Sequence, residues 1–145
     1  MKPLFILLTV LSSYFAQAAN GPEDVSPVVL KSFNRTFSNA REVSWSVAEN
    51  LYKVTFQVAG QYASAYYNGT GDLVIVTRNI SPVQLPVVLL AAIKKDYSNQ
   101  WVSDLIEVSD ESGTYYYVTL EDGAQKQILK SDGTASWVRY QKFDK

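Results

Sequence analysis

The strongest constraint on the fold of this chain is that most of it reads twice. From Pro27 the order is an apolar helix, Phe37-Ser38-Asn39, Tyr52-Lys53-Val54-Thr55-Phe56, a Gly hairpin, and Asn68-Gly69-Thr70-Gly71-Asp72. From Pro86 the same order returns as an apolar helix, Tyr97-Ser98-Asn99, Tyr116-Tyr117-Val118-Thr119-Leu120, a turn at Asp122-Gly123, and Ser131-Asp132-Gly133-Thr134. The offset is 59 residues at Pro27 and Pro86, widens to 64 at Tyr52 and Tyr116, and reads 62 at Gly71 and Gly133. Insertions confined to loops, with the periodic segments intact, mark a duplicated structural unit.

Met1 to Ala18 has the parts of a secretory signal: a basic start at Lys2, an apolar stretch from Leu4 to Phe15, and Ala16-Gln17-Ala18 as a cleavage site. The apolar stretch is shorter than the roughly 20 residues that a membrane-crossing helix needs. An exported chain starting near Ala19, periplasmic or secreted and not membrane-spanning, is expected. Without Lys2, the 13 basic residues fall to 12 against 14 acidic ones, a net charge of −2. A nearly neutral chain of mixed signs has no electrostatic footprint for nucleic acid.

The sequence has no His and no Cys. That removes the commonest general base near neutral pH, the Ser-His-Asp and Cys-His nucleophilic arrangements, the usual zinc ligands and every disulfide. No catalytic residue, cofactor or metal is expected. Carboxylates are the remaining route to chemistry, and they cluster at Asp104, Glu107, Asp110 and Glu111 and again at Glu121 and Asp122. Neither spacing fits a calcium loop, and hairpin ends are ordinarily charged. Asn34, Asn68 and Asn79 head glycosylation sequons, and Gly69 and Gly71 imitate a phosphate loop that lacks its lysine and its helix; turn chemistry explains these.

Ser26 and Pro27 predict a helix start, with Val29, Leu30, Phe33 and Phe37 on its buried stripe. Val43, Trp45 and Val47 alternate with serines, and Tyr52, Val54, Phe56 and Val58 alternate with polar residues, as strands with one buried face do. A two-residue hairpin at Ala59-Gly60 sets Val58 opposite Gln61, Phe56 opposite Ala63, Val54 opposite Ala65 and Tyr52 opposite Tyr67. The small alanines then leave room for a helix. Leu73 to Arg78 makes a fourth strand. In the second copy, Val88, Leu89, Ala92, Ile93 and Tyr97 predict a helical face, followed by strands near Val102–Val108, Thr114–Glu121, Ala124–Lys130 and Thr134–Phe143. The parity of the third of these turns on the Asp122-Gly123 loop. A two-residue turn buries Gln125 and Gln127, and a three-residue bulged turn buries Ala124 and Ile128; the cost of burying an unpaired amide favours the bulge.

The expected fold is therefore α+β: a duplicated α-β4 unit, repeat 1 about 26–78 and repeat 2 about 85–143, forming one roughly eight-stranded antiparallel sheet with helices packed on one face. The run Phe37-Ser38-Asn39-Ala40, Val43-Ser44-Trp45, Tyr52-Lys53-Val54-Thr55-Phe56, Ala65-Tyr66-Tyr67, Gly71-Asp72-Leu73, Ile80 and Leu85-Pro86 resembles the PepSY-like domains of secreted bacterial proteins, which are similar to the β-lactamase inhibitor protein. The second copy departs from it, with Leu105 where the first has Trp45. That resemblance implies a curved antiparallel sheet over residues 19–145 and a binding or inhibitory module with no catalysis.

Ten tyrosines are the surplus in the composition. Most suit a pleated, half-buried surface. Alternation places Tyr62, Tyr66, Tyr115 and Tyr117 on the face away from the helices, with Lys53 opposite Tyr66 and Trp137 nearby. Large amphipathic rings on an open sheet face suit recognition at low ordering cost. An exported, non-enzymatic module that recognises a protein or peptide of the cell envelope on that face is the leading expectation. A carrier or sensor of a small ligand in a concave sheet pocket is the alternative.

Overall fold

The computed structural model describes residues 21–48, 51–134 and 136–145. The expected signal segment, 1–18, lies outside the described residues. Among the described residues, eight strands run in sequence order through one antiparallel sheet that does not close on itself, β1-β2-β3-β4-β5-β6-β7-β8, with two α-helices. The chain divides into two compact units, the first reaching Val76 and the second running from Thr77 to Lys145, and each carries one copy of the repeat.

In the first unit, a 3-10 turn at Pro22–Asp24 leads to α1 (Pro27–Thr36). Pro27 occupies the first helical position, and the Ser26 carbonyl accepts from the Val29 and Leu30 N–H groups. Strands β1 (Arg41–Ala48), β2 (Leu51–Val58) and β3 (Gln61–Tyr67) pair as the hairpin register requires: Trp45 with Val54, Val54 with Ala65, Phe56 with Ala63, and Tyr52 with Tyr67. Val29 and Phe33 of α1 bury against Trp45, Val54, Phe56, Ala63, Ala65 and Tyr67. Ala63 and Ala65 admit the helix because they project only a methyl group. Val43 shares the parity of Trp45 yet is exposed, because a bulge between Arg41 and Ser44 turns the start of β1 aside. Strand β4 (Leu73–Asn79) follows a turn in which Gly71, at φ +86, passes so close to α1 that a Cβ would sit 3.0 Å from Val28 Cγ2.

Ala59 and Gly60 both have positive φ, +50 and +78, the mirror-image turn that matches strand twist. Ala pays for its Cβ there. Ala59→Asn is expected to raise the stability of this unit by up to about 1 kcal/mol, read as a higher urea midpoint at unchanged slope, since Asn tolerates the left-handed region.

In the second unit, a 3-10 turn at Pro82–Gln84 precedes α2 (Val87–Asp96). Leu89 and Ile93 bury against Leu105 of β5 (Trp101–Asp110), Val118 and Leu120 of β6 (Gly113–Glu121), and Leu129 of β7 (Gln125–Ser131). Leu90 and Tyr97 complete the stripe, and Val88, expected on it, is exposed. The last strand, β8, covers Val138–Asp144 and starts later than the sequence suggested. Trp137 is also placed differently from expectation: it packs on the helix side, its indole Nε1 donating to the Leu89 carbonyl at 3.1 Å.

The parity of β7 corrects the bulged-turn expectation. Glu121 pairs with Lys126 and Leu120 with Gln127, so Gln127 and Leu129 face the helix while Ile128 faces away. The physical reason lies in partners distant in sequence. Gln127 Nε2 donates to Gln100 Oε1 at 2.6 Å, and Arg139 Nε donates to Gln127 Oε1 at 3.3 Å, so the buried amide is paired. The final turns correct the offset as well: Asn68 Oδ1 accepts from the N–H and hydroxyl of Thr70, and Asp132 Oδ1 accepts the same pair from Thr134. Asn68 thus matches Asp132, and the 64-residue offset persists to the end of the repeat.

Candidate binding surface

Lys53, Tyr62 and Tyr66 project from the helix-free face of the first unit, because their neighbours Val54, Ala63, Ala65 and Tyr67 are committed to the core beneath α1. Lys53 and Tyr66 are cross-strand partners, with the Lys53 ammonium 5.8 Å from the Tyr66 ring centroid. Partial burial of Lys53 lowers its pKa. Thr55 and Ser64 join in a 3.0 Å hydroxyl hydrogen bond on the same face. Tyr62 stands apart, paired with Gln57, and its hydroxyl donates to Glu42 Oε2. That contact, followed by the Glu42 charge, raises the Tyr62 pKa. Tyr62 is 53% exposed and Tyr66 only 7%.

In the second unit, Tyr115 and Tyr117 lie on the helix-free face opposite Val108 and Ile106. Lys130, the cross-strand partner of Tyr117, places its ammonium 4.5 Å from the Tyr115 centroid and 5.5 Å from that of Tyr117. Tyr140 of β8 meets the Tyr117 ring edge-on at 5.5 Å. Tyr117 is 4% exposed, and its buried hydroxyl has no hydrogen-bond partner. Burial, reinforced by Tyr140, Tyr115 and Asp110, pushes its pKa up to about 12.

The persistent offset exposes a relation between the copies. Lys53 corresponds to Tyr117 and Tyr66 to Lys130, so each unit keeps one lysine–tyrosine cross-strand pair with the two residue types exchanged. In the ladder, Ser46 and Tyr66 flank Lys53, and Tyr117 and Val138 flank Lys130. Sequence reasoning missed Lys130 and Tyr140. The correct offset from Tyr66 identifies Lys130; Tyr140 carries no such signal, because the register of β8 shifts beside it.

Most of the clustered carboxylates are engaged within the chain. Glu107 forks to Arg78 at 2.7 and 3.2 Å, Asp104 accepts from the Asn79 side chain, and Asp110 accepts from the N–H and hydroxyl of Ser112. Asp122 accepts from the Ala124 and Gln125 N–H groups and from Gln100 Nε2, and those bonds hold its pKa down to about 2. Among the described residues no group of three His, Cys, Asp or Glu is placed to hold a metal ion, and no helix is long and apolar enough to cross a membrane.

No family model matches the chain, and no curated protein matches it. Solved structures do share its fold. The chain is similar to a BLIP-like protein from Bacteroides fragilis at 20% identity and a TM-score of 0.71, over 82% of this chain and 85% of that one. It is similar to a DUF2874 family protein from Bacteroides uniformis at 16% identity and 0.73, over 83% and 89%. A Bacteroides eggerthii protein named as periplasmic gives 11% identity and 0.73, over 83% and 88%. At these identities the likeness is one of architecture: the chain has the BLIP-like α+β fold.

Proposed function

We propose that this chain is an exported, non-enzymatic binding module of the bacterial envelope, in the manner of PepSY-like domains, and that it recognises a protein or peptide through the helix-free face of its sheet. The observation that carries the reading is the lysine–tyrosine pair retained, with residues exchanged, on that face of each unit. A half-buried ammonium held over an aromatic ring is pre-ordered, so engaging it costs little side-chain entropy. Tyr62 and Tyr115 extend the same chemistry with accessible rings, the residue type that dominates binding energy at interfaces. The periplasmic name of one structural neighbour and the leader-like first residues support export.

Site-specific photo-crosslinking in the producing cell tests this. A crosslinker at position 62 or 115 is expected to trap one defined envelope protein, and a crosslinker at Lys31 or Lys94 on the helices is not. Tyr115→Ala is expected to weaken binding of the trapped protein by about 2 kcal/mol, roughly thirtyfold. Trapping from the helix positions alone, or equal affinity of the variant, would overturn the reading.

A further inference from the structure

The second unit contains a cleft of about 330 Å³ at the C-terminal end of α2, and the first unit serves as its internal control. The helix-ending turn is the same in both: Ala40 N–H donates to the Phe37 carbonyl, and Gln100 N–H donates to that of Tyr97. Yet three positions that are aliphatic in the first unit, Ala40, Val58 and Ala63, are Gln100, Asp122 and Gln127 in the second. All three second-unit residues line the cleft. They form a directed chain in which Arg139 donates to Gln127, Gln127 to Gln100, and Gln100 to Asp122.

Burying the Gln127 carboxamide where the first unit buries the Ala63 methyl costs stability unless the amide is paired, and the first unit packs the same turn without any such network. Gln127 is 5% exposed. Each of the two carboxamide nitrogens carries two hydrogens and makes one hydrogen bond within the chain, which leaves one donor apiece. At the rim stand Asp96, Ser98 and Asn99, all exposed, which add acceptors and further donors. The two carboxylates disfavour an anion. A bare cation is disfavoured too, because Asp122 is already saturated by N–H donors.

A wall of amide donors with acceptors at the rim, on Asp96, Ser98 and Asn99, is complementary to hydroxyl groups, each of which donates and accepts at once. We infer that this cleft binds a neutral polyhydroxylated ligand, one sugar ring in size. The site is separate from the helix-free sheet face, so its failure would leave the proposed function standing.

The test is an amide-resolved NMR titration of the ¹⁵N-labelled chain with D-glucose, D-galactose and maltose, with tetramethylammonium and acetate as charged controls. At least one sugar is expected to give saturable shifts of the Gln100 and Gln127 side-chain NH₂ signals, with a dissociation constant of the order of millimolar as befits so small a ligand. Ser98→Ala and Asn99→Ala, both at exposed positions, are expected to weaken it about tenfold without changing the melting temperature. Gln100→Ala is expected to abolish the ligand-induced shift of the remaining Gln127 signal. No saturable shift with any of the sugars, equal shifts with the charged controls, or unchanged affinity in both rim variants would overturn the assignment.

Discussion

Phe33→Ala is expected to destabilise the first unit by about 3–5 kcal/mol, the range for truncating a fully buried aromatic ring. Phe33 is the one α1 side chain that meets three other rings, Phe37 at 5.6 Å, Trp45 at 5.3 Å and Phe56 at 5.2 Å, the last two edge-on. Removing it opens a cavity among rigid aromatics, which cannot collapse around the loss as flexible side chains would. A unit of this size has little stability to spare, so the variant should show a urea transition at much lower denaturant, followed by Trp45 fluorescence. Val28→Ala, one residue off the buried stripe and half exposed, should cost under about 1 kcal/mol. If both variants unfold at the same denaturant concentration, α1 is not anchored through Phe33.

The counterpart of Phe33 in the second unit is Ile93, in a cluster whose buried members are all aliphatic and whose rings, Tyr97, Tyr116 and Trp137, lie at its margin. The two copies reach the same architecture with different packing, and this difference bounds what could be read from sequence. The α1 stripe and the β2–β3 register were legible because period 3.6, period 2 and a Gly-containing two-residue turn all specify the same faces. The parity of β7 was not. It depends on Asp122 collecting the Ala124 and Gln125 N–H groups into a longer turn, and on Gln127 finding Gln100 and Arg139, two partners far away in the sequence. Alternation likewise assigned Tyr66 and Tyr117 to the helix-free face, but it says nothing of burial there. A ring standing on a sheet face is covered by side chains from neighbouring strands, and Tyr140, whose strand has an irregular register, supplies part of that cover to Tyr117.

The exchanged lysine–tyrosine pairs bear on how the duplicate diverged. A cross-strand cation–aromatic pair is indifferent to which strand supplies the cation, so exchange preserves the local energy while moving the charge from β2 in one unit to β7 in the other. Divergence at such a position changes what the face presents without disturbing the sheet. The Gln100–Asp122–Gln127 chain is the opposite case, because its members stand where the first unit has apolar residues and each depends on the next for a hydrogen-bond partner.

Raising the pH from 10 to 12 is expected to remove about 4 kcal/mol of stability through two tyrosines alone. Tyr67, beneath α1, and Tyr117, on the helix-free face, both have buried hydroxyls with no hydrogen-bond partner, and burial pushes each pKa from 10 up to about 12. The unfolded chain releases these protons near pH 10, whereas the folded chain holds them until about 12. Their contribution is therefore whole below pH 10 and is lost as pH rises through that window, at about 2–3 kcal/mol for each two-unit shift. Tyr62, Tyr116 and Tyr140 are raised as well, so some alkaline slope persists without them. Tyr67→Phe and Tyr117→Phe separate the two contributions. Each deletes a hydroxyl that forms no bond, so each variant should match or exceed the parent at pH 7, by up to about 1 kcal/mol. Each should also lose roughly half of the alkaline sensitivity, and the double variant most of it, in urea titrations repeated between pH 8 and 12. A loss of more than about 1 kcal/mol at pH 7 would mean that the hydroxyl has a partner in solution, and for Tyr117 that partner would have to reach it from the helix-free face.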